Sequence, residues 1–251
     1  MTKIALVTGA TSGIGNATAH KLSKLGYNLI ISGRRKERLD ELATKLQAIG
    51  TEIFKLSFDI QDRTQVEEAI NSLPEKWKTI DVLVNNAGLA AGRDVIQEGE
   101  IDNWERMLDT NVKGLLYISR KVMPLMIANK KGHIVNIGST AGREVYPGGN
   151  VYCASKHAVD AISKSMRIDL VQHGIKVTQI RPGMAETEFS LVRLKGDEKA
   201  AKKVYADIEP LLGEDVAEMI GFAVSLPAHV CINDLEVTCT AQATSTIVNR
   251  K

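Results

Sequence analysis

The 251-residue sequence predicts a doubly wound α/β fold, one parallel sheet of about seven strands with helices on both faces. Three observations predict it. Short apolar runs ending in Gly, Asn or Ser alternate with longer segments of helical period. Glycines at 26, 50 and 174 each follow a helical pattern, where a left-handed residue closes a helix. The first apolar run, Ile4-Ala5-Leu6-Val7, opens directly into a glycine-rich turn. It is apolar at every position, as a strand covered on both faces must be, and marks a strand from Lys3 to Thr8. The same reading places strands at Asn28–Ser32, Glu52–Ser57, Asp81–Asn85, His133–Ser139, Lys176–Arg181 and Asp234–Thr238, with helices between them. There is no internal repeat, low-complexity run or Pro/Gly/Ser-rich linker, so residues 1–251 are expected to form a single domain. Residues 184–213 are charged and mostly helical in pattern where a short connection would suffice, which suggests either a substrate lid or a plain solvated helix pair.

The composition is 44% hydrophobic and 25% charged with a net charge of +2, enough apolar content for a large core. Lysines and arginines are scattered among acids, which argues against nucleic acid as a partner but leaves small anions open. Cys153, Cys231 and Cys239 are odd in number and unpaired in spacing, which favours a reducing, cytoplasmic setting. No secretory leader or membrane-spanning run is expected. The histidines at 20, 133, 157, 173 and 229 make no ligand spacing with each other or with the cysteines, so no metal is expected.

After the first strand, glycines fall at 9, 13 and 15 within Thr8-Gly9-Ala10-Thr11-Ser12-Gly13-Ile14-Gly15. Such a turn lets the chain double back at Gly9, approach a pyrophosphate at Gly13 and pack the next helix at Gly15, with the helix N-terminus toward the phosphates. An NAD site usually ends its second strand on a carboxylate for the ribose hydroxyls. Here that position is Gly33, followed by Arg34 and Arg35, and two guanidiniums suit a 2′-phosphate; NADP is the expected cofactor. Asp59, after the third strand, could meet the adenine edge or cap the next helix, and Asn86-Ala87-Gly88 gives a close backbone passage at the carboxyl edge of the sheet.

Tyr152 and Lys156 lie one helical turn apart, which brings an ammonium beside a phenol that otherwise loses its proton at about pH 10. Together with TGATSGIG, NNAG at Asn85–Gly88, Asn111, Gly138-Ser139, YCASK at Tyr152–Lys156, and Pro182-Gly183 followed by Thr187, this resembles the short-chain dehydrogenases/reductases over nearly the whole chain. Within them it is similar to the NADP-dependent 3-hydroxy acid (serine or allo-threonine) dehydrogenases, through NIGSTAG from Asn136, GGNVY from Gly148, TEFSLVRLKGD from Thr187 and LPAHVCIND from Leu226. The resemblance implies a Rossmann-type sheet and a homotetramer built on helices at Asn111–Asn129 and Val151–Gln172. Two features depart from the pattern. Glu186 places an acid in a segment that usually contacts nicotinamide, and Val237-Thr238-Cys239-Thr240 replaces the glycine-rich ending of 3-oxoacyl carrier-protein reductases.

Hydride transfer to a carbonyl needs a proton donor at its oxygen. Tyr152 is the expected acid/base, Lys156 lowers its pKa and holds the nicotinamide ribose, and Ser139 binds the substrate oxygen. The resemblance implies a water-mediated relay from Asn111 to Lys156. It also implies that Pro182, Gly183 and Thr187 join the cofactor site. A carboxylate substrate needs a cation, for which Arg143, Arg193 and Lys195 are candidates; Phe189 and Gln242 are expected to shape the pocket. The reading is an NADP(H)-linked oxidoreductase of 3-hydroxy acids. A broad carbonyl reductase and a catalytically silent nucleotide sensor remain as alternatives.

Overall fold

The computed structural model describes residues 3–251. The chain runs through β1 (Ile4–Val7), α1 (Gly13–Lys24), β2 (Asn28–Gly33), α2 (Lys36–Gln47), β3 (Ile53–Ser57), α3 (Arg63–Asn71) and β4 (Val82–Asn85). It continues through α4 (Ile101–Leu108), a π-helical turn at Asp109–Gly114, α5 (Leu115–Ala128), β5 (Gly132–Ile137), α6 (Asn150–Leu170) and β6 (Ile175–Pro182). The last stretch holds β7 (Ala185–Glu186), α7 (Glu188–Arg193), α8 (Glu198–Val204), β8 (Leu211–Leu212), α9 (Gly213–Ser225) and β9 (Asp234–Val237).

Seven of these strands pair in parallel in the order β3-β2-β1-β4-β5-β6-β9. The strand order reverses between β1 and β4, which opens a crevice at their carboxyl ends. Alternation along each strand divides the core into two layers. Leu6, Ile30, Leu83, Ile134 and Val177 face α3, α5 and α6 through Val66, Ile118, Val122 and Met166. Their neighbours Ala5, Val7, Leu29, Ile31 and Val84 face α1, α2 and α9 through Leu22, Leu42, Leu46, Val216 and Ile220. The inner strands β1 and β4 are covered on both faces and read as apolar runs, whereas the edge strands β3 and β9 are only partly covered and mix apolar with charged residues.

Gly26, Gly50 and Gly174 have φ of +80°, +88° and +68°, as the helix ends required. The expected strand at His133–Ser139 stops at Ile137, because Ser139 leaves the sheet to accept a hydrogen bond from Ala141 N (3.1 Å) at the head of a short 3₁₀ turn. The expected helix from Asn111 begins instead as the second half of the π-helical turn. Residues 184–213 carry two short helices and also the two-residue pair β7–β8, which has no period to reveal it. Among the described residues no helix is long and apolar enough to cross a membrane.

Two charged or titratable side chains sit deep in this frame. Arg181 on β6 is only 1% exposed and is held by Asp160 of α6 and by Asp234 of β9, the latter at 2.6 and 3.0 Å. His133 on β5 has Nε2 2.7 Å from Thr178 Oγ1. That hydroxyl donates onward to Ile232 O, so it accepts from His133 Nε2–H, and the ring is neutral with Nδ1 buried. Burial, reinforced by the Lys176 charge, lowers the His133 pKa from 6.5 to about 3.

The sign of the resulting linkage is definite. Above pH 6.5 the ring is neutral in both folded and unfolded chains; below it only the unfolded chain takes up the proton, until the folded pKa near 3 is reached. His133 should therefore subtract about 1.4 kcal/mol of stability per pH unit within that window. Urea denaturation as a function of pH should give a slope shallower by one proton in His133→Asn, and equal slopes would refute the assignment.

Candidate active site

The crevice begins at the turn between β1 and α1. Gly9 and Gly13 have φ of +63° and +49°, a region that L side chains rarely adopt. Gly15 is required for a different reason: a Cβ there would lie 2.3 Å from Gly9 O and 2.4 Å from Asn86 Nδ2. Asn86 Nδ2 uses that closeness to donate to Thr8 O (2.8 Å) and Gly9 O (3.2 Å). Thr8 Oγ1 accepts from Asn86 N and Ala87 N, both at 3.0 Å, and so joins the loop after β4 to the turn after β1. The glycine turn and the Asn-Ala-Gly loop are thus one rigid unit. Thr11, Ser12 and Ile14 line the cleft with Gly9 and Gly13, while Gly15 lies behind its wall.

At one end of the cleft stand Arg34 and Arg35. Arg35 donates to Thr11 Oγ1 (3.0 and 3.3 Å), Ser12 Oγ (2.9 Å) and Glu188 (2.9 Å). Arg34 reaches Asp59 at 3.5 Å. Asp59 lines the cleft and accepts from Gln61 N (3.0 Å) in an Asx turn. It does not cap α3; Asp62 does, by accepting from Thr64 N and Gln65 N.

At the other end α6 presents Tyr152 and Lys156, each only 7% exposed. Lys156 Nζ donates to Ile137 O (2.8 Å) and lies 5.9 Å from the centre of the Tyr152 ring. Burial lowers its pKa to about 8. The phenol of Tyr152 is pushed upward, mostly by burial and then by Tyr146, against the opposing pull of Ser139 and Arg193. This corrects the sequence expectation that Lys156 depresses Tyr152: in this geometry desolvation dominates and the ammonium is engaged by a carbonyl. Ser139 Oγ, at the same end, accepts from Ala141 N and donates only over a long 3.4 Å contact to Pro182 O, so its hydroxyl proton can turn toward a ligand.

Asn111 lies in the π-helical turn, behind the cleft wall. Its Oδ1 accepts from Leu89 N (2.8 Å), and its Nδ2 donates to Leu89 O (2.8 Å) and Ser155 Oγ (3.0 Å). The side chain is therefore a clamp on the loop after Gly88 and makes no direct hydrogen bond to Lys156. The added turn of π helix widens the backbone where this clamp must fit. A Cβ on Gly88 would stand 3.2 Å from Asn111 Oδ1 and 3.7 Å from Lys156 Nζ, so the loop passes between the two side chains.

The segment after β6 covers the cleft. Thr187 caps α7 by accepting from Phe189 N (3.2 Å) and presses on Gly13, where a Cβ would lie 3.0 Å from its own. Phe189 meets the Tyr152 ring edge-on at 5.4 Å. Arg193 donates to Tyr146 Oη (2.7 Å), Gly148 O (2.9 Å) and Gly92 O (3.1 Å), with its guanidinium 5.7 Å from the Tyr152 ring centre. Gln242 reaches back from the C-terminal stretch to accept from Met184 N (2.8 Å), beside Pro182 and Gly183. The cleft has a volume of about 490 Å³ and is continuous from Arg34 to Tyr152.

Two candidate cations fall outside it. Arg143 is exposed and turns toward Glu236 of β9 (3.7 Å), and Lys195 is exposed and paired with Glu100 (2.8 Å). Both follow predicted site residues in sequence, but the local backbone directs them outward. Among the lining residues that the sequence analysis did not single out are Tyr146 and Glu188. Tyr146 carries no local motif; Glu188 is adjacent to Thr187 but its partners Arg35 and Arg38 lie 153 and 150 residues earlier.

The short chain dehydrogenase family profile matches residues 3–196. The chain is 46% identical to sulfoacetaldehyde reductase 2 of Chromohalobacter salexigens over 98% of this chain and 97% of that protein. It is 45% identical to the NADP-dependent 3-hydroxy acid dehydrogenase YdfG of Escherichia coli K12 over 96% of each. Among solved structures, the closed form of a serine dehydrogenase complexed with NADP+ superposes with a TM-score of 0.93 at 44% identity, covering 99% of this chain and 100% of that one.

Replacing Asn111 by Ala removes all three bonds of the clamp and leaves the Leu89 amide and carbonyl unpaired beneath the surface. The variant is expected to lose about 2–4 kcal/mol of stability in urea denaturation. A loss near zero would show that the clamp does not hold the loop.

Proposed function

Since the chain belongs to the short chain dehydrogenase family, we propose that it is an NADP(H)-dependent oxidoreductase interconverting 3-hydroxy acids with 3-oxo acids or semialdehydes. The observation that carries the substrate class is Arg193, a guanidinium held by Tyr146 within 5.7 Å of the Tyr152 ring, where an anionic group attached to a small carbonyl compound would sit. The relatives' substrates share that chemistry, since serine, 3-hydroxy acids and sulfoacetaldehyde each combine a hydroxyl or carbonyl with a carboxylate or sulfonate.

The residues at hand fit the cofactor. The turn of Gly9–Gly15 and the Asn86–Gly88 loop offer backbone to a pyrophosphate, and Gly33, Arg34 and Arg35 replace a ribose-binding carboxylate by cations suited to a 2′-phosphate. Asp59 borders the adenine end, and Pro182, Gly183 and Thr187 border the nicotinamide end. When bound, the cofactor supplies or accepts the hydride at the substrate carbon. Tyr152 gives its phenolic proton to the substrate oxygen in reduction and takes it back in oxidation; burial keeps the phenol protonated, which favours the donating role. Ser139 donates to the same oxygen. Lys156 has N–H groups left beyond Ile137 O and holds the cofactor ribose. Asn111 acts by fixing the loop of Gly88 and Leu89 against Lys156. Residues 184–213 serve as the lid, bringing Phe189 and Arg193 over Tyr152 and excluding water from the transfer.

Tyr152→Phe should lower turnover by about a thousandfold or more while NADPH binding, followed by fluorescence titration, persists. Surviving turnover would sink the assignment. Arg193→Ala should reduce the preference for a 3-hydroxy acid over its uncharged methyl ester by about ten- to a hundredfold in kcat/KM. If the unmodified enzyme turns over acid and ester equally, the site is that of a broad carbonyl reductase.

A further inference from the structure

The Arg35 guanidinium has no free edge. Its Nε and Nη2 face Thr11 Oγ1, Nη2 also faces Ser12 Oγ, and Nη1 faces the Glu188 carboxylate at 2.9 Å. These partners are not equivalent toward an arriving phosphate. The Thr11 and Ser12 hydroxyls can rotate and donate to it, so they become part of its cradle. A carboxylate can only accept hydrogen bonds, and it is ionised here: burial pushes the Glu188 carboxyl upward, but the bonds from Arg38 and Arg35 bring it below its ordinary value. Glu188 is therefore the one partner of Arg35 that a phosphate must displace. It has somewhere to go, because Arg38, one turn along α2, already holds its other oxygen.

We propose that Glu188 is a cofactor-specificity residue of the lid, competing with the 2′-phosphate of the dinucleotide for Arg35 and passing to Arg38 when that phosphate binds. The proposal rests on the NADP(H) reading above and deepens it. Glu188 opens α7, a six-residue helix whose last residue is Arg193, so the carboxylate that senses the 2′-phosphate and the cation beside Tyr152 belong to one rigid element. A cofactor without the 2′-phosphate leaves Glu188 on Arg35. One with it takes that guanidinium over and leaves the Glu188 carboxylate paired with Arg38 alone. Discrimination between the two dinucleotides is thus smaller than the arginines alone would give, because part of the phosphate's binding energy is spent in displacing Glu188.

The test uses calorimetric titration of the full-length enzyme with adenosine 2′,5′-bisphosphate and, as control, adenosine 5′-diphosphate. Glu188→Gln and Glu188→Ala should each bind the 2′,5′-bisphosphate about two- to fivefold more tightly than the unmodified enzyme, the range a half-exposed ion pair supports, with the affinity for 5′-diphosphate unchanged. Unchanged or weaker binding of the 2′,5′-bisphosphate by both variants, with the unmodified enzyme still preferring it to the 5′-diphosphate, overturns the competition and leaves the NADP(H) reading intact. No preference in the unmodified enzyme overturns both.

Discussion

The contact that the rest of the crevice depends on is the one between two loops of opposite sequence origin, the turn after β1 and the turn after β4. It exists because Gly15 has no side chain: any Cβ would collide with Gly9 O and with the Asn86 amide. With that space free, Asn86 bonds the carbonyls of Thr8 and Gly9, and Thr8 bonds the amides of Asn86 and Ala87. Four hydrogen bonds thus set the floor of the crevice where the strand order reverses. Backbone amides held this firmly need no reorganisation when an anion arrives, which is the advantage of building a phosphate cradle from main chain.

The far end of the crevice is governed by desolvation. Tyr152 and Lys156 share one face of α6 and are almost fully covered, so each is driven toward its neutral form: the phenol upward, the ammonium downward to about 8. Two titratable groups pushed in opposite directions, one turn apart in a cleft, mark a place where protons move. The charges that counter this burial come from elsewhere in the chain. Arg193 of α7 and the hydroxyl of Ser139, just after β5, both pull the phenol back. Proton chemistry at Tyr152 is therefore coupled to the position of α7.

α7 is short, and packing holds it at both ends. Glu188 binds the arginines of α2, and Arg193 binds Tyr146 and the carbonyls of Gly92 and Gly148. Tyr205 adds a cross-tie, donating to Ala185 O (2.9 Å) and lying 2.7 Å from Ser190 Oγ. The C-terminal stretch completes the support, since Gln242 holds Met184 N and Arg250 reaches the carbonyls of Val204 and Ala206 at the end of α8. Half-exposed ion pairs of this kind are weak individually, so α7 is held by the sum of several contacts.

By itself the sequence determined the strands of the parallel sheet, the glycine turn and the types of residue that meet in the crevice at Ser139, Tyr152 and Lys156. These are local signals: an apolar run covered on both faces, a glycine needed for positive φ at Gly9, a tyrosine and a lysine one helical turn apart. It also carried the NADP preference, because Gly33, Arg34 and Arg35 are consecutive. Tertiary structure alone decided where each charge points. Arg143 and Arg193 are alike in sequence, but the backbone after Ser139 sends the first to Glu236 at the surface and α7 sends the second to Tyr146 and Tyr152. Folding alone sets the Asn111 side chain on Leu89 and the Glu188 carboxylate on Arg35. Hydrogen bonds and burial are properties of neighbours distant in the chain, so the direction of a side chain and the shift of its pKa appear only once those neighbours have been brought together.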